Sequence, residues 1–87
     1  YTLQHRPSFA RVEAERSFAL ALGAQPEYAV GALATLGPDG ELSLFGALAH
    51  RRSPLAIQAE IAGEAGEAAA LGRELAQDVL EQLKQRA

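Results

Sequence analysis

Few side chains in this sequence can do chemistry, and they are widely spaced. Cysteine is absent, which excludes disulfides, thiolate metal sites and thiol nucleophiles. The two histidines, His5 and His50, lie far apart, and neither has a cysteine, aspartate or second histidine at the spacing of a metal site. We therefore interpret both as solvent-exposed loop residues and predict no metal site.

Glu15 and the pair Arg51-Arg52 are the other residues of interest. A general acid needs a second titratable group nearby, and the sequence indicates none for Glu15. Because buried charges are usually paired, we expect this carboxylate to form an ion pair with an arginine or to accept hydrogen bonds from backbone amides. Arg51 and Arg52 can receive an anion, whereas a basic pair in a loop is usually just solvated, and the sequence leaves their role open. No Ser/His/Asp arrangement or glycine-rich phosphate loop is present, so we predict no catalytic residue.

The composition indicates a single domain over residues 1–87. Hydrophobic residues make up 48% of the chain, enough for a core, and the net charge of −3 disfavours a polyanionic partner. No apolar run is long enough to span a membrane, and no signal segment is evident at the start. We therefore expect a cytoplasmic protein without a membrane partner. The sequence leaves open whether the chain is a whole gene product or a piece of a longer one.

A helix is predicted over residues 9–22. Pro7 and Ser8 precede it, with Ser8 as the N-cap, and Gly23 follows as a stop signal. Residues at helical spacing form its predicted apolar stripe, bordered by Phe18: Val12, Glu15, Ala19 and Leu22.

Three strands are predicted to follow this helix. Residues 28–36 and 41–49 form a hairpin around residues 37–40, because proline presets one turn dihedral there and glycine accepts positive φ. After a polar connection over residues 50–54, residues 55–62 alternate between apolar and polar side chains. Such alternation predicts a sheet with one face exposed to solvent.

A second helix is predicted over residues 67–86. Gly72 lies on its apolar side, where it costs about 1 kcal/mol of helix propensity, so we expect a close approach to the sheet there. The predicted fold is α+β, in the order αβββα, with a three-stranded antiparallel sheet and two helices packed on one face. The apolar stripe of the second helix consists of Ala68, Leu71, Leu75, Val79 and Leu83, with Ala76 and Leu80 beside it.

Several stretches, in chain order, carry a family resemblance. They are His5-Arg6-Pro7-Ser8, the run Val12 to Phe18 with Leu22-Gly23, Val30-Gly31-Ala32-Leu33-Ala34, Leu42-Ser43-Leu44-Phe45-Gly46, and Ala70-Leu71-Gly72 with Leu75-Ala76. Together they resemble the C-terminal domain of porphobilinogen deaminase (hydroxymethylbilane synthase). The match covers nearly the whole chain, and the fold order predicted from the residues agrees with it.

The resemblance implies a role in tetrapyrrole (heme) biosynthesis. The family is a deaminating transferase that condenses four porphobilinogens into hydroxymethylbilane on a dipyrromethane cofactor, which a thioether joins to one cysteine. That cysteine lies in a loop between the first helix and the first strand, and the matching loop here is Gly23-Ala24-Gln25-Pro26-Glu27-Tyr28. Pro26 occupies the place of the cysteine. Because proline offers no nucleophile, we expect a degenerate attachment site and no dipyrromethane on this chain.

The resemblance also implies partners. The family's catalytic aspartate and most of its cofactor-binding arginines belong to two other domains, which we expect in cis or in trans. The isolated domain is therefore expected to be non-catalytic, and whether any parent enzyme is active stays open. Arg51 and Arg52 would, in this setting, receive an acidic pyrrole side chain.

Two other classes of function compete with this interpretation. The first is a free-standing, non-catalytic interaction or regulatory module that keeps the fold, as a homodimer through its unpaired sheet edges. The second is a double-stranded RNA-binding domain, which has the same element order and grips phosphates with lysines at the start of its last helix. Here that region holds Glu64, Glu67 and alanines, so we predict no nucleic-acid partner.

Overall fold

The structure, a computed structural model, describes residues 6–86, with side chains over residues 9–85. The strands form one antiparallel sheet in the order β1-β2-β3, and both helices pack against one face of it around a common core. The predicted α+β fold class is therefore confirmed. The elements are α1 (Arg6–Leu22), β1 (Tyr28–Leu36), β2 (Glu41–His50), β3 (Ala56–Glu64), a short 3-10 helix (Ala65–Glu67) and α2 (Ala68–Arg86).

The first helix begins earlier than predicted. α1 already includes Arg6, Pro7 and Ser8, so the predicted N-cap at Ser8 is wrong. Proline is tolerated in the first turn because the amide hydrogen that it lacks has no partner within the helix there. His5 lies outside the described residues.

The buried face of α1 differs from the predicted stripe. Val12 is 47% exposed and Ala19 is also exposed, so the predicted stripe is wrong at these positions. The physical reason is the size of the side chains. Phe18 is the largest apolar side chain that must be buried, and the small alanines on the same face of α1 let a neighbouring element pack closely. The buried residues of α1 follow a four-residue spacing: Ala10, Ala14, Phe18 and Leu22.

Gly72 marks a close approach of the two helices. A Cβ atom at this position would lie 2.6 Å from the carbonyl oxygen of Ala14 and 2.7 Å from the amide nitrogen of Phe18. Beside this contact, the Ser17 hydroxyl donates a hydrogen bond to the carbonyl of Ala69 at 2.6 Å. The expectation that Gly72 approaches the sheet is therefore wrong. The glycine admits the backbone of α1 instead.

The sheet has one covered face and one open face, as predicted. A Cβ atom at Gly46 would lie 2.6 Å from the ring carbon Cζ of Phe18, so the ring of α1 rests directly on the middle of β2. On the open face Leu33 is 60% exposed. The β2 residues that face the core are Leu42, Leu44, Gly46 and Leu48.

The hairpin between β1 and β2 closes at the predicted turn. Gly40 has a φ of +85°, a conformation that side-chain-bearing residues rarely adopt. Its amide donates a hydrogen bond to the carbonyl of Gly37 at 3.1 Å. This turn sets a register in which Leu36 faces Leu42 next to the turn and Tyr28 faces His50 at the far end.

The second helix agrees closely with its prediction. α2 begins at Ala68, one residue later than predicted, and ends at Arg86. Within residues 6–86, no helix has both the length and the apolar character needed to cross a membrane. The α2 residues that face the core are Ala68, Leu71, Leu75, Ala76 and Val79, with Leu80 and Leu83 partly buried beside them.

Candidate functional site

Two connections that are distant in the sequence meet at one end of the sheet. Residues 23–27 join α1 to β1, and residues 51–55 join β2 to β3. They meet because the register pairs Tyr28, which follows the first connection, with His50, which precedes the second. We call these two connections the loop pair.

The first connection is held in a defined shape. Gly23 ends α1 with a φ of +79°, the left-handed conformation typical of a helix C-terminus. The side-chain Nε2 of Gln25 donates to the carbonyl of Leu22 at 3.1 Å. The amide of Tyr28 donates to the carbonyl of Gln25 at 3.0 Å, which closes a turn with Pro26 at its tip.

Arg51 joins the two connections. Its amide donates to the carbonyl of Glu27 at 3.0 Å, and its side-chain Nε donates to the carbonyl of Pro26 at 3.2 Å. The structure therefore brings together Pro26 and Arg51, which the sequence analysis singled out for separate reasons.

The position of His50 contradicts the prediction of a solvent-exposed loop residue. It is the last residue of β2, and its side chain is only 22% exposed. Its ring meets that of Tyr28 edge-on, with 5.0 Å between centroids. Its Nδ1 accepts a hydrogen bond from the Arg52 amide at 3.1 Å, and its Nε2 lies 3.8 Å from Oε1 of Glu27. Because His50 pairs with Tyr28, β2 extends one residue beyond the predicted strand, and the tyrosine covers the imidazole ring.

The loop pair forms a cavity of about 350 Å³. Two guanidinium groups and one carboxylate lie in its lining, so the charge there is positive on balance. Such an arrangement can hold an anion through charge-assisted hydrogen bonds. Within residues 6–86, no group of three or more His, Cys, Asp and Glu side chains is placed to hold a metal ion. The residues that line the cavity are Pro26, Glu27, His50, Arg51 and Arg52.

Glu15 lies apart from the loop pair and has a structural role. Its Oε2 accepts a hydrogen bond from the amide of Ala34 at 2.8 Å. Because β1 is at the edge of the sheet, this carboxylate occupies a backbone donor that no neighbouring strand uses. The prediction that Glu15 bonds an arginine or backbone amides is confirmed for the amide.

Sequence reasoning placed Glu27 and Tyr28 in the loop after α1 but missed their contacts with His50. The predicted turn at 37–40 does not give this register, because counting outward from it would place Tyr28 opposite Ala49. The hairpin is centred on Asp39 instead, so Tyr28 and His50 face each other and the loop before Tyr28 lies beside Arg51.

Curated proteins that are similar to this chain include two porphobilinogen deaminases. A porphobilinogen deaminase of Thermus thermophilus is 50% identical over 82 residues, which are 94% of this chain and 27% of the relative. A porphobilinogen deaminase of Chromobacterium violaceum is 38% identical over 79 residues, which are 91% of this chain and 25% of the relative. The chain thus spans about a quarter of the length of these relatives. No protein-family model matches it.

Proposed function

Since this chain corresponds to a C-terminal portion of porphobilinogen deaminase, we propose that it serves as the C-terminal domain of a porphobilinogen deaminase-like protein of tetrapyrrole biosynthesis. The observation that carries this proposal is the 50% identity over 94% of the chain. An identity of this size over a whole domain supports the deaminase assignment above that of a free-standing interaction module.

In this proposal the chemistry belongs to the whole protein. The condensation of porphobilinogens into hydroxymethylbilane needs the acid and the arginines of two further domains, supplied in cis or in trans. Because those groups belong to the other domains, we expect that the chain alone does not turn over porphobilinogen. The assembled protein acts in the cytoplasm.

The loop pair is the place where the family's cofactor would be attached. Pro26 lies at the tip of the turn between α1 and β1, beside the guanidinium of Arg51. The chain contains no cysteine, and the ring of proline offers no atom that can form a thioether. We propose that dipyrromethane is not covalently bound to this chain and that the attachment site is degenerate.

A chimeric enzyme tests both parts of the proposal. The matching portion of the Thermus thermophilus deaminase is replaced by this chain, and the protein is purified after expression and analysed by intact mass and by porphobilinogen turnover. The domain assignment predicts a folded chimera of unmodified mass without turnover. An unfolded chimera would count against the domain assignment, whereas an adduct or turnover would refute the loss of the attachment site.

Two cysteine variants of the chimera locate the attachment position. Pro26→Cys restores a thiol at the tip of the turn and is expected to gain the mass of a dipyrromethane. Ala24→Cys places the same thiol in the same loop and serves as the matched control, which is expected to stay unmodified. An adduct on Ala24→Cys alone would show that Pro26 does not occupy the place of the family's cysteine.

A further inference from the structure

We propose that the cavity of the loop pair binds a small organic dicarboxylate without covalent attachment, through the guanidinium groups of Arg51 and Arg52. This inference goes beyond the proposed function, because it concerns the cavity of this chain and needs neither the other domains nor a cofactor. It rests on three features of the site: the fixed position of Arg51, the local charge and the size of the cavity.

The guanidinium of Arg51 is held in place for a ligand. Its Nε is used internally, by the carbonyl of Pro26, and the main chain of the same residue is bound to Glu27. An arginine has five N–H donors, so the two terminal nitrogens keep four of them for a carboxylate. Because the side chain is already ordered by the protein, less conformational entropy is lost when the ligand binds.

A second guanidinium group and a histidine lie beside Arg51. Arg52 is the next residue and is exposed, and within residues 6–86 neither guanidinium forms an ion pair. His50 accepts a hydrogen bond at Nδ1 from the Arg52 amide, so its neutral form carries the proton on Nε2. His50 also lines the cavity, with its Nε2 at 3.8 Å from Oε1 of Glu27.

The charge of the cavity lining attracts a small anion, although the chain as a whole is acidic. The chain carries a net charge of −3, whereas the cavity lining has two guanidinium groups against the single carboxylate of Glu27. A large polyanion would meet the acidic remainder of the surface, but a small anion can reach the cavity alone. This balance favours a small molecule over nucleic acid.

The size of the cavity and the two guanidinium groups in its lining favour a dicarboxylate. A volume of about 350 Å³ is at the lower end of the range for small-molecule sites. One carboxylate can be held in the bidentate manner by the planar end of Arg51. A second carboxylate on the same molecule can reach Arg52. Since both guanidinium groups are exposed, the affinity is expected to be about millimolar.

An NMR titration of the 87-residue chain with succinate tests the proposal. Saturable shifts are expected at the amides of Glu27, Arg51 and Arg52, and Arg51→Gln is expected to weaken binding about tenfold. The matched control is Arg73→Gln, an exposed arginine on α2 outside the cavity, which is expected to leave binding unchanged. Arg52→Gln repeats the test should Arg51→Gln unfold the loop pair, because within residues 6–86 only the main-chain amide of Arg52 donates a hydrogen bond, to Nδ1 of His50.

Three outcomes would overturn the proposal. The first is the absence of saturable shifts in the unmodified chain. The second is an equal loss of affinity in Arg73→Gln, which would mean that succinate responds to overall charge only. The third is binding of inorganic phosphate or acetate as tight as that of succinate, which would replace a dicarboxylate site by a general anion contact. None of these results bears on the chimera, so the two proposals fail separately.

Discussion

Replacement of Gly72 by alanine tests the contact on which the helix packing depends. A methyl group at this position would lie 2.6 Å from the carbonyl oxygen of Ala14, 2.7 Å from the amide nitrogen of Phe18 and 2.8 Å from the Cβ of Ser17. Two of these three atoms belong to the backbone of α1 and cannot rotate away. The two helices would therefore have to move apart.

Two opposing effects decide the size of the change. Alanine is favoured over glycine inside a helix by about 1 kcal/mol. Overpacking of a well-packed contact costs about 1–3 kcal/mol, and occasionally more. The upper end applies here, because the separation also loosens the ring of Phe18 from Gly46. We expect Gly72→Ala to lower the free energy of unfolding by about 2 kcal/mol.

Urea and thermal unfolding followed by circular dichroism measure this change. For a domain of this size, a loss of about 2 kcal/mol lowers Tm by roughly 8–16 °C. Gly66→Ala is the matched control, because nothing lies within 4 Å of a Cβ atom there, and its effect is expected to stay within about 0.5 kcal/mol. If Gly72→Ala were as stable as the unmodified chain or more so, helix propensity would outweigh packing, and the close approach of α1 and α2 would be refuted.

Two further substitutions test the core and the sheet edge. Phe18→Ala is expected to cost about 3–5 kcal/mol, because the ring is fully buried over Gly46, and a urea midpoint close to that of the unmodified chain would contradict this packing. Glu15→Ala is expected to cost about 1–2 kcal/mol and to speed hydrogen exchange at the amide of Ala34, whereas Glu15→Gln keeps an oxygen acceptor and most of the protection. Unchanged exchange in Glu15→Ala would show that this hydrogen bond does not protect the edge of β1.

Much of the fold could be predicted because the strands and α2 follow simple periodicities. β2 alternates cleanly about Gly46, and α2 repeats its apolar residues over several turns. α1 was harder, because it is rich in alanine and its apolar residues do not cluster on one side. Alanine counts as hydrophobic but its burial depends on what packs against it, so only the partner helix decides that Ala14 is buried and Ala19 is not.

The candidate site could be predicted only in part. Arg51 and Pro26 are recognisable as single residues, but their contact depends on the hairpin register and on a hydrogen bond to a main-chain carbonyl. His50 was misplaced because a strand's last residue resembles the loop that follows it. The ring of His50 packs against Tyr28 on the adjacent strand, and a contact between two strands leaves no local pattern in the sequence.

The hairpin separates the position of the site from its chemistry. Its turn at 37–40 lies at the opposite end of β1 and β2, so these strands place the loop pair, and of the residues that line the cavity only His50 belongs to a strand. Inserting one residue into either strand would shift the partners by about 3.3 Å and turn each side chain to the other face. Exchanging the residue at position 26, in contrast, disturbs no core contact. A domain built in this way can exchange the residue at the tip of this turn and keep its fold.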